Sequence, residues 1–104
     1  MKADSFCEQF IDDMMNNVNT FDSNYNISYR NNIFYSYKMP ICQHLKFGNH
    51  HYFEIVEKDD SPSMTTAKHI SKLTHIIQNK IKDMDDVSIT YVHEIVRRES
   101  NNEQ

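Results

Sequence analysis

The sequence predicts an α+β fold: an N-terminal helix, a three-stranded antiparallel β-meander, then two C-terminal helices packed on one face of the sheet. Three observations predict it. Apolar residues recur every three or four positions from Phe6 to Val18 and again from Ile70 to Ile81, the spacing of a helix face. Between Ile27 and Glu57 the chain changes to aromatic and β-branched residues, which suit a pleated, half-buried surface. Two stretches, Arg30-Asn31-Asn32 and Phe47-Gly48-Asn49, interrupt that region where a chain can reverse.

The first helix is expected from Asp4 to about Thr20. Phe6, Phe10, Met14 and Val18 form its apolar stripe with Cys7, Ile11 and Met15 beside them, and Glu8, Asp12, Asp13, Asn16 and Asn17 lie opposite. Asp4 or Ser5 can cap its start by accepting from a free backbone N–H. Phe21 to Asn26 reads as a turn. Strands are expected at Ile27–Tyr29, Ile33–Leu45 and His51–Glu57. Pro40 marks a bulge or an exposed edge in the middle strand, because proline cannot donate to a ladder. Ile33, Tyr35, Tyr37 and Met39 alternate onto one face and Phe34 falls on the other.

Lys58 to Pro62 is a polar connector, after which Ser63 or Thr65 can cap a helix running to about Lys82. Ile70, Leu73, Ile77 and Ile81 form its buried stripe. Asp83 to Asp86 breaks the pattern. The segment with Val87, Tyr91, Val92, Ile95 and Val96 has helical spacing, although Val87–Tyr91 also fits a strand; helix is the expectation. The polar tail from Glu99 to Gln104 is expected to fray. Together these make one domain, 1–104: an acidic helix and turn (1–25), the meander (26–57), a helical part (58–99) and the tail (100–104).

Composition narrows the function classes. A chain of 104 residues, 38% hydrophobic and 25% charged, is of a size to build one core. No run is long and apolar enough to cross a bilayer, and the first residues lack the pattern of a signal peptide, so a cytoplasmic location is expected. Cys7 and Cys42 have no CxxC spacing and read as buried free thiols. The six histidines include His50-His51, which point to opposite faces of a strand, and His69 with His75, which do not share a helix face. No metal and no cofactor are therefore expected. Cys42 and His44 share a strand face, but no Gly-rich loop accompanies them to hold an oxyanion, and Cys42 reads as structural. The pairs Asp12-Asp13, Asp59-Asp60 and Asp85-Asp86 sit in polar stretches as solvated charge. The chain is expected not to be an enzyme.

Two surfaces suggest binding. Glu8, Asp12 and Asp13 form an acidic face on the first helix, and Tyr35, Tyr37 and Tyr52 can add anchoring contacts, with Tyr91 as a further tyrosine. Against these stands a basic stripe on the later helix, Lys68, Lys72 and His75, the arrangement a phosphate backbone would meet. The net charge of −4 opposes strong nonspecific nucleic-acid binding.

Phe34-Tyr35-Ser36-Tyr37-Lys38-Met39-Pro40-Ile41-Cys42 and Ser63-Met64-Thr65-Thr66-Ala67-Lys68-His69-Ile70-Ser71-Lys72-Leu73 carry a resemblance. They resemble a small domain common in bacteriophage proteins, with Tyr-Ser-Tyr-x-x-Pro-Ile in a strand and Thr-Thr-x-Lys-His opening a helix. Cys42 stands where that domain usually has a small residue, and the acidic first helix lies outside the matched part. The resemblance implies a phage or prophage source and an α+β fold and assigns no reaction. Thr65, Thr66, Lys68 and His69 are the matched residues that could hold an anion at a helix start.

The functional expectation is a phage-type accessory protein that acts by stoichiometric binding. Its most specific form is an inhibitor of a bacterial defence complex such as a CRISPR nuclease, docking on a basic nucleic-acid-binding groove in the bacterial host cytoplasm. A small nucleic-acid-binding module using the basic face of the 65–82 helix is the alternative, and no membrane partner is expected.

Overall fold

The computed structural model describes residues 2–18 and 20–98. Along the chain come α1 (Ala3–Met15), β1 (Phe21–Asn24), β2 (Ile27–Arg30), β3 (Ile33–Ser36), β4 (Met39–Phe47) and β5 (His50–Val56). A 3-10 turn (Lys58–Asp60), α2 (Met64–Ile81) and β6 (Val87–Val92) follow. The strands form one six-stranded sheet in sequence order. β1 to β5 are antiparallel neighbours, and β6 lies parallel to β5. The pairing directions put the β1–β2 and β3–β4 turns, the ends of β5 and β6 and the start of α2 at one end of the sheet, called upper below. The β2–β3 and β4–β5 turns lie at the lower end.

This corrects the expected three-stranded meander with two C-terminal helices. Phe21–Asn24, read as a turn, pairs with β2 through Tyr25-Asn26. It has no apolar alternation to announce it. The expected long middle strand breaks at Tyr37-Lys38 into β3 and β4. Pro40 does mark an irregularity: Tyr35 pairs with Pro40 but Phe34 with Cys42, leaving Ile41 as the extra residue. Val87–Val92, expected as helix, is a strand beside β5. Parallel neighbours need a long crossover, and α2 supplies it. The frayed tail expected from Glu99 onward lies outside the described residues.

Both helices lie on the same face of the sheet. Phe6 and Phe10 of α1 meet Tyr29 at 5.2 and 5.3 Å and Phe34 at 5.9 and 5.1 Å between ring centroids, within the range where aromatic pairs attract. Ile70, Leu73, Ile76 and Ile77 of α2 complete this core with Ile41, Cys42, Phe53 and Ile55. α2 starts as expected, with Ser63 accepting from the Thr66 backbone N–H at 3.2 Å. α1 does not: Lys2 occupies its N-cap position with no side-chain bond, so neither Asp4 nor Ser5 caps it. It also ends earlier than expected, at Met15, and Asn17 takes a left-handed φ of 59° just beyond.

The opposite face carries Ile33, Gln43 and Glu54, in register across β3, β4 and β5, and Leu45, which pairs with Tyr52. Residues 96–98 come back over it. Gln43 donates to Glu54 and to the Val96 carbonyl, both at 3.0 Å, and accepts from the Arg98 backbone N–H at 2.9 Å. Arg98 pairs with Glu54. A buried amide and carboxylate are thus satisfied by chain that follows the last strand.

Candidate functional site

The two halves of the Tyr-Ser-Tyr and Thr-Thr-x-Lys-His pattern meet at the upper end. Ser36, the last residue of β3, points onto the helix-covered face and is fully buried. Its Oγ lies 3.0 Å from Thr66 Oγ1 and 2.6 Å from His69 Nδ1. Thr66 and His69 stand one turn apart on the face of α2 that meets the sheet. Burial, and secondarily the charge of Lys72, pushes the His69 imidazole below its ordinary pKa of 6.5, so the ring is neutral at pH 7. The bond to Ser36 occupies Nδ1 and fixes the ring's direction, leaving Nε2 as the nitrogen of a half-buried imidazole that can meet a partner. Ser36 is too enclosed to be a nucleophile; it orients His69.

Around this joint the surface is aromatic. Tyr25 is 97% exposed, Met64 79% and Tyr37 50%. The Tyr37 ring stands 6.3 Å from His69. The Tyr37 N–H donates to the Asn26 carbonyl at 2.6 Å, which ties the two upper turns together. Tyr25 and Tyr37 both adopt left-handed backbone, with φ of 56° and 57°. That region costs a residue with a Cβ on the order of 1 kcal/mol, and it suits Gly or Asn far better than tyrosine.

The acidic and basic surfaces expected to compete as binding faces are in large part joined to each other. α1 and α2 run parallel, and Lys72 meets Asp4 at 2.6 Å while Lys80 meets Asp12 at 2.9 Å, two turns further along both helices. Asp13 is spent on the fold: it accepts from Tyr29 Oη at 2.7 Å, Thr20 Oγ1 at 3.1 Å and Gln9 Nε2 at 3.0 Å. Burial first, and then this carboxylate, raises the Tyr29 phenol to about 12. Glu8 and Lys68 remain exposed on their helices. His75 lies 3.2 Å from Asn79. Of the tyrosines, Tyr35 and Tyr52 lie half-buried on the sheet face away from the helices, where Tyr52 packs against Phe47 and His50. The structure therefore does not gather Glu8, Asp12, Asp13, Tyr35, Tyr37 and Tyr52 into one patch.

The sequence pattern of a catalogued family covers residues 10–88, from the middle of α1 to the start of β6. The chain belongs to the Family of unknown function (DUF8033). No curated protein and no solved structure matches it. The DUF8033 region contains the whole Ser36–Thr66–His69 joint and both upper turns. Glu8 falls outside it.

The same region holds a second histidine arrangement that no sequence spacing announced. His44 Nε2 and His51 Nδ1 lie 2.8 Å apart on the helix-covered face near the lower end, beside Phe53. Cross-strand register brings them there, so only correct pairing of β4 with β5 would have found them. Burial, then His51 and Lys46, lowers His44 to about 4; burial also lowers His51. His50 points to the other face, as its neighbour's position requires, and meets Ser88 Oγ at 2.7 Å. Both cysteines are free and buried, as expected, and burial pushes their thiols up, Cys7 to about 12. Such thiols are inert. No helix among the described residues is long and apolar enough to cross a membrane.

Proposed function

We propose that this protein works by stoichiometric binding of another protein, and that the upper end of its sheet is the docking surface. The observation that carries this is the pair of tyrosines at left-handed turn positions. Tyr25 is 97% exposed and Tyr37 50%, so packing offsets none of the backbone cost at Tyr25 and only part of it at Tyr37. A partner would offset it: tyrosine brings large, rigid contact area at low entropic cost and is enriched among residues that dominate interface energies. Met64 adds an adaptable apolar contact, and His69 a ring nitrogen, Nε2, whose direction is fixed by the bond to Ser36.

A protein partner is favoured over nucleic acid by the charges. Of the basic stripe, Lys72 is paired with Asp4, and an overall charge of −4 opposes the phosphate neutralisation that nucleic-acid binding needs. The more specific reading is a phage-encoded inhibitor of a bacterial defence complex such as a CRISPR nuclease, acting in the host cytoplasm. Negative charge and the Tyr-Ser-Tyr and Thr-Thr-x-Lys-His resemblance support it. The pairing of Asp4 and Asp12 with lysines moves the proposed contact from the acidic helix to the tyrosine turns.

The test is retention from a nuclease-treated bacterial lysate on immobilised wild type and variants. Wild type should retain a protein complex in stoichiometric amount, Tyr25→Gly and Tyr37→Gly should lose it, and Glu8→Lys should keep it. Equal retention by the glycine variants, or loss of the retained material on nuclease treatment, would reject the proposal. For the defence reading, a purified CRISPR nuclease should lose activity at one equivalent of the protein; full activity at large excess would remove that version.

A further inference from the structure

The geometry points to a divalent-cation site formed by Glu57, Asp60 and His93 at the upper corner of the sheet, beside β6. Their ligand atoms, one from each side chain, all lie within 4.8 Å of one another. They come from three places that the fold brings together: Glu57 directly follows β5, Asp60 closes the 3-10 turn, and His93 directly follows β6.

The backbone under the three side chains is held. Glu57 N–H donates to the Val92 carbonyl at 3.0 Å, which fixes the ends of the parallel strands against each other. Asp60 N–H donates to the Glu57 carbonyl at 2.9 Å and Ser61 N–H to the Lys58 carbonyl at 3.1 Å, which fix the turn. The side chains themselves are exposed. His93 Nδ1 already contacts Asp60 Oδ2 at 2.9 Å. Donors around one first-row ion stand about 3 to 3.5 Å apart when each bond is about 2.0 to 2.2 Å, so rotation of the Glu57 and Asp60 side chains closes the set.

One imidazole and two carboxylates are a mixed nitrogen and oxygen set. It suits a zinc-like ion better than Mg²⁺ or Ca²⁺, which prefer oxygen donors throughout. Three protein ligands leave at least one coordination position open to water or to a partner's side chain. Glu57 also lines a cavity of about 250 Å³ between α2 and the β5–β6 edge, with Lys58, Thr74, His75 and Tyr91 among its walls. Bound metal would also tie the end of β6 to the turn that leads into α2.

Isothermal titration of the full chain with zinc chloride, and separately with magnesium chloride, tests the site. One saturable zinc site is expected, absent in His93→Ala and weakened by more than about tenfold in Glu57→Gln and Asp60→Asn, with little response to magnesium. His50→Ala, at the lower end of the sheet, should bind as wild type does, which separates this site from adventitious binding by other histidines. Denaturant midpoints measured without metal show whether each variant is folded. Unchanged zinc affinity in folded His93→Ala, or no saturable binding by wild type, would overturn the inference.

Discussion

At the lower end of the sheet the turns after β2 and β4 begin on Asn31 and Gly48, with φ of 56° and 64°; at the upper end the turns after β1 and β3 begin on Tyr25 and Tyr37, with φ of 56° and 57°. The backbone is nearly the same in all four. Asn and Gly enter the left-handed region readily, whereas tyrosine enters it at a cost. The lower turns thus carry residues that folding alone would select. The upper turns carry residues that folding alone would not, and they are the exposed aromatics beside the Ser36–His69 joint. The histidines follow the same division. His44 and His51 at the lower end turn their nitrogens toward each other in the core, while His69 at the upper end spends one nitrogen on Ser36 and keeps a half-exposed ring.

The largest expected effect breaks the lower end. Because His44 and His51 titrate lower in the folded chain than in the unfolded one, the unfolded state binds their protons first. Their contribution is complete above about pH 6.5 and is lost as pH falls toward 4, amounting to about 3 kcal/mol for His44 across that window. Urea unfolding at stepped pH should show this loss, and His44→Gln should flatten it. Next comes the upper joint: Ser36→Ala leaves Thr66 and His69 Nδ1 without their buried partner and should cost about 2 kcal/mol by chemical denaturation.

The turns give a smaller, opposed pair of effects. Gly48→Ala should destabilise by about 1 kcal/mol, while Tyr25→Gly should leave stability unchanged or raise it by up to about 1 kcal/mol. A loss of stability in Tyr25→Gly would mean that the tyrosine serves the fold and would erase the contrast between the ends. Smallest of all, Asp12→Asn should shift the unfolding midpoint by the equivalent of less than about 1 kcal/mol, with the difference fading in high salt, because its ion pair with Lys80 is solvated.

What could be read in the sequence followed from periodicity. The stripes Phe6, Phe10, Met14 and Ile70, Leu73, Ile77 announced both helices and the side each buries, and Ser63 announced the start of the second. β1 could not be read, because Phe21-Asp22-Ser23-Asn24 owes its strand state to the open edge of β2 rather than to its own pattern. β6 carried both periods at once, and β5 as a parallel neighbour decided between them. The long-range couples were invisible for a related reason. Asp4 with Lys72, Asp12 with Lys80, Ser36 with His69 and His44 with His51 each depend on which elements pack side by side and in what direction. The acidic and basic faces were visible as faces; that they answer each other was not.

Binding by Tyr25→Gly, set beside its stability, tests most directly whether the upper end exists for a partner. Stability equal to or above wild type together with lost retention of the partner complex is the expected result. Retention equal to wild type in a variant that folds normally would contradict it, and would return the search for a docking surface to Glu8, Lys68 and the remaining unpaired charges of the two helices.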